Sequence, residues 1–578
     1  MHAAFHRLSF PVLRFPLLIL AVLLAAGPWL AAPTQAQQDP ARSKALDDIN
    51  RLQERFRELI KPKATTEPLI PETDDPLPPA QAKKIRFTLN DLLVQGATVY
   101  APEELRPLFE ERLGRETTLQ AVYEIAAEIE KRYRNDGYIL AQVFPPAQRV
   151  SAGVVRLQVM EGFIDKIEIE GKAGDYEAII EGYARQILQS RPLNNEVLER
   201  YLLLANDLPG LIAKAVLIPS FETEGASDVI LQLKTSPAGG SASIDNRGTK
   251  FVGPYQASLG HSFYSPFGRA GKLDLRGINS LFQETELHYL QAGYQMPLGS
   301  DGATLAVSLT GNKAAPGSTL KDSDVKSRSE SVSVRLDYPW IRARRKNVSL
   351  QAAFTYRDNV TNLAGARLTE DRVRSLKLGV SGDYADSFKG ITLVDAGLTQ
   401  GLTILGTREK DAPLSSRPRG RTDFLKFNLD VARLQRLNKD TRLLVAMTGQ
   451  RAAHRLLASE QFGYGGGNFG RAFDPSELSG DDGIAFKVEL QYTLPEKLDY
   501  LKYLQYYAFY DWGHVRRPAE PNQNTRDSAA SVGLGARMSM TDRISGGLEI
   551  AQPLIGRTNA RNASGEDPRL FVRLSSRF

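Results

Sequence analysis

The chain has 578 residues, of which 42% are hydrophobic and 24% charged, with a formal net charge of +6 and no cysteine. The lack of cysteine excludes disulfides, a thiolate-bound metal and a lipoprotein anchor. The positive charge is modest and spread along the sequence, so no nucleic-acid partner is expected.

In chain order, His6, Arg7 and Arg14 precede an apolar run at 17–26, and small residues lead to Ala36 before the polar Gln37. That order predicts a secretory signal peptide over 1–36, the alternative being an N-terminal anchor helix. No later segment offers about 18 continuous apolar residues, so no membrane-spanning helix is expected beyond it. An exported chain of this kind is either soluble outside the cytoplasm or a closed barrel. Leu46, Ile49, Leu52, Phe56 and Leu59 recur at three- and four-residue spacing. This predicts an amphipathic helix within 37–60. Six prolines between 62 and 79 make 61–83 an extended linker. A lone helix on a tether needs a docking surface to be stable; without one it is an unordered arm.

Residues 84–162 read strand, helix, helix, strand, strand, with strands at 85–89, 138–144 and 153–160 and helices at 103–113 and 119–134. Residues 163–235 repeat the order, with strands at 164–170, 212–219 and 229–234 and helices at 176–190 and 194–206. Two small α+β domains are expected, and neither shows a catalytic cluster. From 236 onward only strands are predicted. Val332, Val334, Leu336 and Tyr338 alternate with other residues, as do Phe486, Val488, Leu490 and Tyr492. Period two gives each strand one apolar and one polar face, which a soluble sandwich would share. The uninterrupted length, the aromatic residues near strand ends and the final strand with Leu570, Val572, Leu574 and Phe578 on one face favour a barrel in lipid. Allowing roughly 20 residues per strand and connection gives about 16 strands. The expected fold class is therefore membrane all-β. A transmembrane antiparallel barrel over 236–578 follows two β-α-α-β-β domains and an amphipathic helix.

Gly465, Gly467 and Gly470 satisfy the spacing GxGxxG, but strands flank it, and the dinucleotide pattern has meaning only between a strand and a helix. Walker, HExxH and GxSxG motifs are lacking, and no serine motif accompanies Asp511 and His514. No enzyme activity, cofactor or metal is expected, and transport must draw its energy from elsewhere, for example from cargo folding outside the cell.

Three stretches carry a family resemblance. The first runs from Gly137 and Tyr138 through Gln148 to Glu161 and Gly162. The second leads from 191–193 to Asn206, Asp207, Leu208, Pro209 and Gly210. The third pairs Gly470, Arg471 and Phe473 with the strand segment around Asp511. In this order the chain resembles the two-partner secretion transporters (TpsB, haemolysin secretion/activation type), whose small domains are polypeptide-transport-associated (POTRA) domains. The resemblance implies a Gram-negative outer-membrane pore with its POTRA domains in the periplasm. It further implies a helix that plugs the lumen, and a loop folded into the lumen whose Arg471 meets Asp511. Phe578 is expected to serve as the barrel's C-terminal signal. The partners implied are a secreted exoprotein in unfolded form, outer-membrane lipid and the barrel assembly machinery for the chain's own insertion. The family commonly has arginine, glycine, aromatic, whereas here Ala472 follows Arg471 and the glycine precedes it. A barrel-insertion factor of the same superfamily is the alternative. A diffusion porin would need neither the domains nor the linker.

Overall fold

The computed structural model describes residues 51, 61–63, 82–282, 286–408, 412–496, 498, 500–518, 525–556 and 567–578. The expected signal peptide, all of the expected plug helix except Arg51, and most of the linker lie outside them.

The first domain contains β1 (Arg86–Leu89), β2 (Asp91–Gln95), α1 (Pro102–Leu105), β3 (Arg115–Thr118), α2 (Leu119–Asn135), β4 (Gln142–Phe144) and β5 (Val154–Met160). The helix expected at 103–113 is broken. α1 spans one turn, and 3-10 turns at Arg106–Leu108 and Glu110–Arg112 follow it. Pro107 explains the break, because it lacks an N–H and its ring crowds the carbonyl four residues back. The strands β2 and β3 were not predicted. The strand expected at 138–144 shrinks to β4, since Gly137 turns at φ +95° and the Tyr138 N–H closes back onto the Tyr133 carbonyl. Val122, Ile125, Ile129 and Tyr133 line one face of α2 at helical spacing, all wholly buried against Leu89, Val155 and Leu157. Each such aliphatic side chain contributes about 1.5–3 kcal/mol on burial.

The second domain contains β6 (Phe163–Glu170), α3 (Glu177–Leu188), α4 (Asn195–Asp207), β7 (Leu211–Pro219) and β8 (Ala226–Thr235). Its sheet has the order β6-β8-β7, with β6 and β8 parallel and β7 antiparallel to β8. The side chain of Asn194 caps α4 by accepting from the Glu196 N–H. Asn206 ends that helix by bonding the Leu202 and Ala213 carbonyls and the Ala213 N–H.

The remaining strands are β9 (Ala238–Asp245), β10 (Gln256–Tyr264), β11 (Lys272–Ser280), β12 (Leu287–Leu298), β13 (Ala303–Ala314) and β14 (Val325–Arg342). They continue with β15 (Lys346–Leu363), β16 (Ala366–Ala385), β17 (Gly390–Gly401), β18 (Leu425–Arg436), β19 (Thr441–Ala452), β20 (Phe462–Tyr464) and β21 (Leu478–Gly480). The last are β22 (Asp482–Thr493), β23 (Tyr503–Arg516), β24 (Arg526–Ser539), β25 (Ile544–Gly556) and β26 (Arg569–Arg577). Sixteen of them close a barrel in sequence order, β26 pairing with β9; β20 and β21 form a separate ribbon. The outward positions carry an apolar belt. Val332, Val334, Leu336 and Tyr338 on β14 stand beside Tyr356, Phe354, Ala352 and Leu350 on β15. Leu350 and Phe354 in turn face Val380 and Leu376 on β16. Most of these side chains are exposed and the rest half-buried, an arrangement stable in hydrocarbon and a liability in water. The inward positions are polar. On β22 they are Lys487, Glu489 and Gln491, all buried.

Candidate functional site

Residues 453–481, between β19 and β22, hold the β20–β21 ribbon and fold into the barrel interior. Glycines make this path possible. Gly465 and Gly470 adopt φ +122° and +77°, and a Cβ on Gly470 would strike the Tyr464 ring at 2.7 Å. The Gly470 and Arg471 N–H groups both donate to Asp511 Oδ2, at 3.1 and 3.0 Å. The Arg471 guanidinium adds two more bonds, Nε to Oδ2 at 3.0 Å and Nη2 to Oδ1 at 2.9 Å. Asp511 therefore accepts four hydrogen bonds while wholly buried. The glycine placed before the arginine thus supplies both the positive φ and one donor, and Ala472 fits with no exposure at all.

Asp511 is one of three carboxylates around Arg471. Nη1 also donates to Glu489 at 2.5 Å and lies 3.7 Å from Glu549. Its guanidinium stacks 3.5 Å over the Phe509 ring. Glu489 is shared with Arg537, and Glu549 with Arg247 and the Tyr507 hydroxyl. Phe473 packs beside Tyr464, with ring centres 6.0 Å apart, in a cluster with Phe462, Leu478 and Phe509. Arg417 binds Asp481 at 2.6 Å and Lys426 binds Glu460 at 2.8 Å, tying down both ends of the loop. Arg51 is buried and donates to the Phe462 carbonyl at 2.9 Å; a Cβ on Gly463 would meet its guanidinium at 2.3 Å.

The motif residues of the small domains build joints. Glu161 accepts from the Thr98 and Val99 N–H groups at 2.6 and 2.8 Å, from the Thr98 hydroxyl, and from Tyr133 at 2.8 Å. Burial opposes its charge, yet those bonds hold its carboxyl below the ordinary glutamate value. Burial, followed by the bond to Glu161, pushes the Tyr133 hydroxyl up. Tyr138 meets Tyr133 edge-on at 6.1 Å. Gln148 pairs with both backbone groups of Arg156, standing in for a neighbouring strand. The Gly137 and Gly162 carbonyls accept from the Asn195 and Leu193 N–H groups, at 2.7 and 3.0 Å, and so join the two domains.

Asp207 receives two bonds from Arg342 of β14, at 2.8 and 3.0 Å, and one from Lys63 at 3.0 Å. Arg200 reaches the Pro339 and Asp301 carbonyls at 3.0 and 3.2 Å. Leu208 is buried in the domain core, and the Pro209 carbonyl accepts from Tyr176 at 2.5 Å. Gly210, at φ +72°, lies against the Tyr264 ring of β10, where a Cβ would come within 2.5 Å. Phe578 exchanges backbone bonds with Gly240 of β9, at 2.7 and 3.1 Å, and its ring covers that glycine.

Glu489, Glu549, Arg342 and Lys63 were not singled out in the sequence. Their only signal there is charge at an inward barrel position, at the end of a strand or in the linker.

A closed barrel with an apolar exterior, a loop ion-paired to its inner wall and two α+β domains jointed to its rim define an outer-membrane transport barrel. The family model for the haemolysin secretion/activation protein ShlB/FhaC/HecB matches residues 225–538, and the ShlB-type POTRA domain matches 87–162. The chain belongs to the ShlB/FhaC/HecB family. The heme/hemopexin transporter protein HuxB of Haemophilus influenzae (strain 86-028NP) is 23% identical over 487 residues, spanning 82% of this chain and 84% of that protein. The outer membrane transporter CdiB of Dickeya dadantii (strain 3937) is 24% identical over 465 residues, 79% and 80% of the two chains. CdiB from Escherichia coli has a similar solved structure, with TM-score 0.72 and 20% identity over 94% of this chain and all of that one.

Proposed function

We propose that this chain is the translocation pore of a two-partner secretion system, moving one large exoprotein, adhesin- or haemolysin-like, from the periplasm to the cell surface. The observation that carries this reading is the loop in the lumen. A diffusion pore would need neither the two small domains nor the linker, and a loop held by a buried guanidinium among three carboxylates suits a gate. A gate needs a closure that is strong and reversible. Arg471 meets the first need through parallel, charge-assisted bonds and the second because no covalent link is involved. The chain itself performs no catalysis; it binds, guides and gates. The periplasmic domains take up the unfolded exoprotein, the barrel conducts it, and the N-terminal helix occupies the lumen at rest. Two residues support the last point: Arg51 is buried against the lumen loop, and Lys63 sits at the rim on Asp207. Lipid surrounds the apolar belt, and the barrel assembly machinery inserts the chain.

The test compares surface and culture-supernatant proteins in strains with and without this chain, with outer-membrane porin levels measured in parallel. Loss of one large exoprotein with normal porins is the expected result. Loss of porins instead would identify a barrel-insertion factor.

A further inference from the structure

The outward face of β10–β14 carries a pattern at the strand ends remote from the small domains. Arg342, at one end of β14, holds Asp207 at the domain joint, and Arg328 stands near the other end, which faces the cell surface. One row across the sheet reads Leu259, Gly277, Leu290, Gly311 and Glu330, in register on β10 to β14. Leu259 and Leu290 are 61% and 65% exposed, and a Cβ on either glycine would meet nothing within 4 Å. The leucines stand as ridges, and the glycines leave hollows beside them. Leu275, Leu309 and Val332 fill the next row towards the domains and are exposed, so the hollows open onto the apolar belt.

The next row towards the cell surface is basic. His288, Lys313 and Arg328 stand abreast on β12, β13 and β14, all exposed. Strands lie about 4.8 Å apart, so the three side chains share a front of about 10 Å. Lys313 and Arg328 are directly opposite each other, and like charges in that position destabilise a sheet. Glu330 offsets part of that cost by accepting from Arg328 Nε at 2.8 Å, and Asp324 takes the neighbouring Lys326 at 2.7 Å. Among the described residues, Lys313 has neither a carboxylate nor a hydrogen-bond partner. His288 Nδ1 donates to Asn279 Oδ1 at 2.6 Å, which leaves Nε2 for an outside partner.

We infer that this face binds a phosphorylated glycolipid of the outer leaflet, with its phosphate between Lys313 and Arg328 and its acyl chains along the hollows at Gly277 and Gly311. A phosphate there relieves the like-charge pair and gives Lys313 a charge-assisted bond. The adjoining hollows select a lipid over the free anion. Exposed ion pairs alone are weak in water, whereas a lipid adds the burial of its chains against Leu259, Leu290 and Leu309. The inference rests on the outer-membrane location of the barrel and stands apart from the secretion reading.

The test uses the full-length chain, purified in detergent with a chelator to remove bridging divalent cations, and reads retained lipid by native mass spectrometry. The probes are diphosphorylated lipid A, the same lipid without its phosphates, and inorganic phosphate. Retention of the diphosphorylated lipid should fall about ten-fold in the K313Q/R328Q double variant, which loses two charge-assisted contacts. The unaltered chain should discriminate against the dephosphorylated lipid to a similar degree. Gly311→Leu, which fills a hollow where a side chain has room, should weaken retention with both cations in place. Lys502→Gln, on a turn at the domain side, should retain lipid normally. Equal retention by K313Q/R328Q, or of the dephosphorylated lipid, would overturn the phosphate site, and normal retention by Gly311→Leu would overturn the placement of the chains. Displacement of the lipid by millimolar inorganic phosphate would show a site for the free anion and overturn the lipid assignment.

Discussion

At the scale of single residues, Arg471 is the most consequential side chain in the lumen. Removing it leaves Asp511 wholly buried with only its two backbone donors, and Glu489 and Glu549 lose one cation each. Stranding a buried charge costs about 3–5 kcal/mol. We therefore expect Arg471→Ala to release the loop and abolish secretion while the barrel still migrates as a folded species in unheated gels. Arg471→Lys should fail nearly as fully, because an ammonium cannot bridge Asp511 in parallel and reach Glu489 as well. Asp511→Ala should be milder, since Glu489 and Glu549 still hold the guanidinium. Equal loss from both substitutions would mean that Asp511 alone matters. Glu161 allows a pH prediction. Its folded carboxyl titrates below its unfolded value, so its contribution is complete at neutral pH. It fades as pH falls below the ordinary glutamate range, about 4.3, and is lost through the depressed folded value. The protection factors of the Thr98 and Val99 amides, that is exchange relative to the intrinsic rate at each pH, should fall across that window in the native chain. In Glu161→Gln the protection should already be reduced at neutral pH.

At the scale of elements, the domains are held at joints, and the joints are short polar contacts around glycines. Asp207→Ala should free Arg342, which is 6% exposed, and detach Lys63 from the rim. Asp207 is part-exposed and Arg342 keeps its bond to Asn347, so we expect about 1.5–3 kcal/mol of weakening at that joint, read as faster hydrogen exchange in α4 and in the turn at 343–345. Gly210→Val should disrupt the same joint sterically, through both the positive φ and the Tyr264 ring. How much of this was legible in the sequence follows from which signals repeat. Period two recurs on strand after strand, so the barrel and its outward face could be read from Val332 to Leu574. α2 could be read from Val122, Ile125, Ile129 and Tyr133. β2 and β3, with five and four residues, are too short to show a period. The break at Pro107 had a signal, but the apolar spacing of 103–113 outweighed it. Arg471 and Asp511 emerged through the family resemblance. Glu489 and Glu549 did not, because a carboxylate at an inward position reads as ordinary lumen wall until the loop is seen against it.

At the scale of the whole molecule, the loop lies inside the barrel and Arg51 is buried against it, as the proposed plug requires. Deleting 37–60 should raise single-channel conductance several-fold in planar bilayers; Arg51→Ala should raise it less, since the rest of the segment is kept. Unchanged conductance on deletion would remove the plug. The seam between β9 and β26 has a further consequence. Asn246 bonds the Leu570 carbonyl and the Val572 N–H, the first pair separated by 324 residues, and Phe578 completes the closure on Gly240. The first barrel strand to leave the ribosome therefore has to wait for the last residue before the cylinder can shut. Until then both terminal strands are sticky ends. The slow step of biogenesis should be this ring closure, and a chain missing only its final residues should accumulate as an unsealed sheet with the rest of its strands already in register.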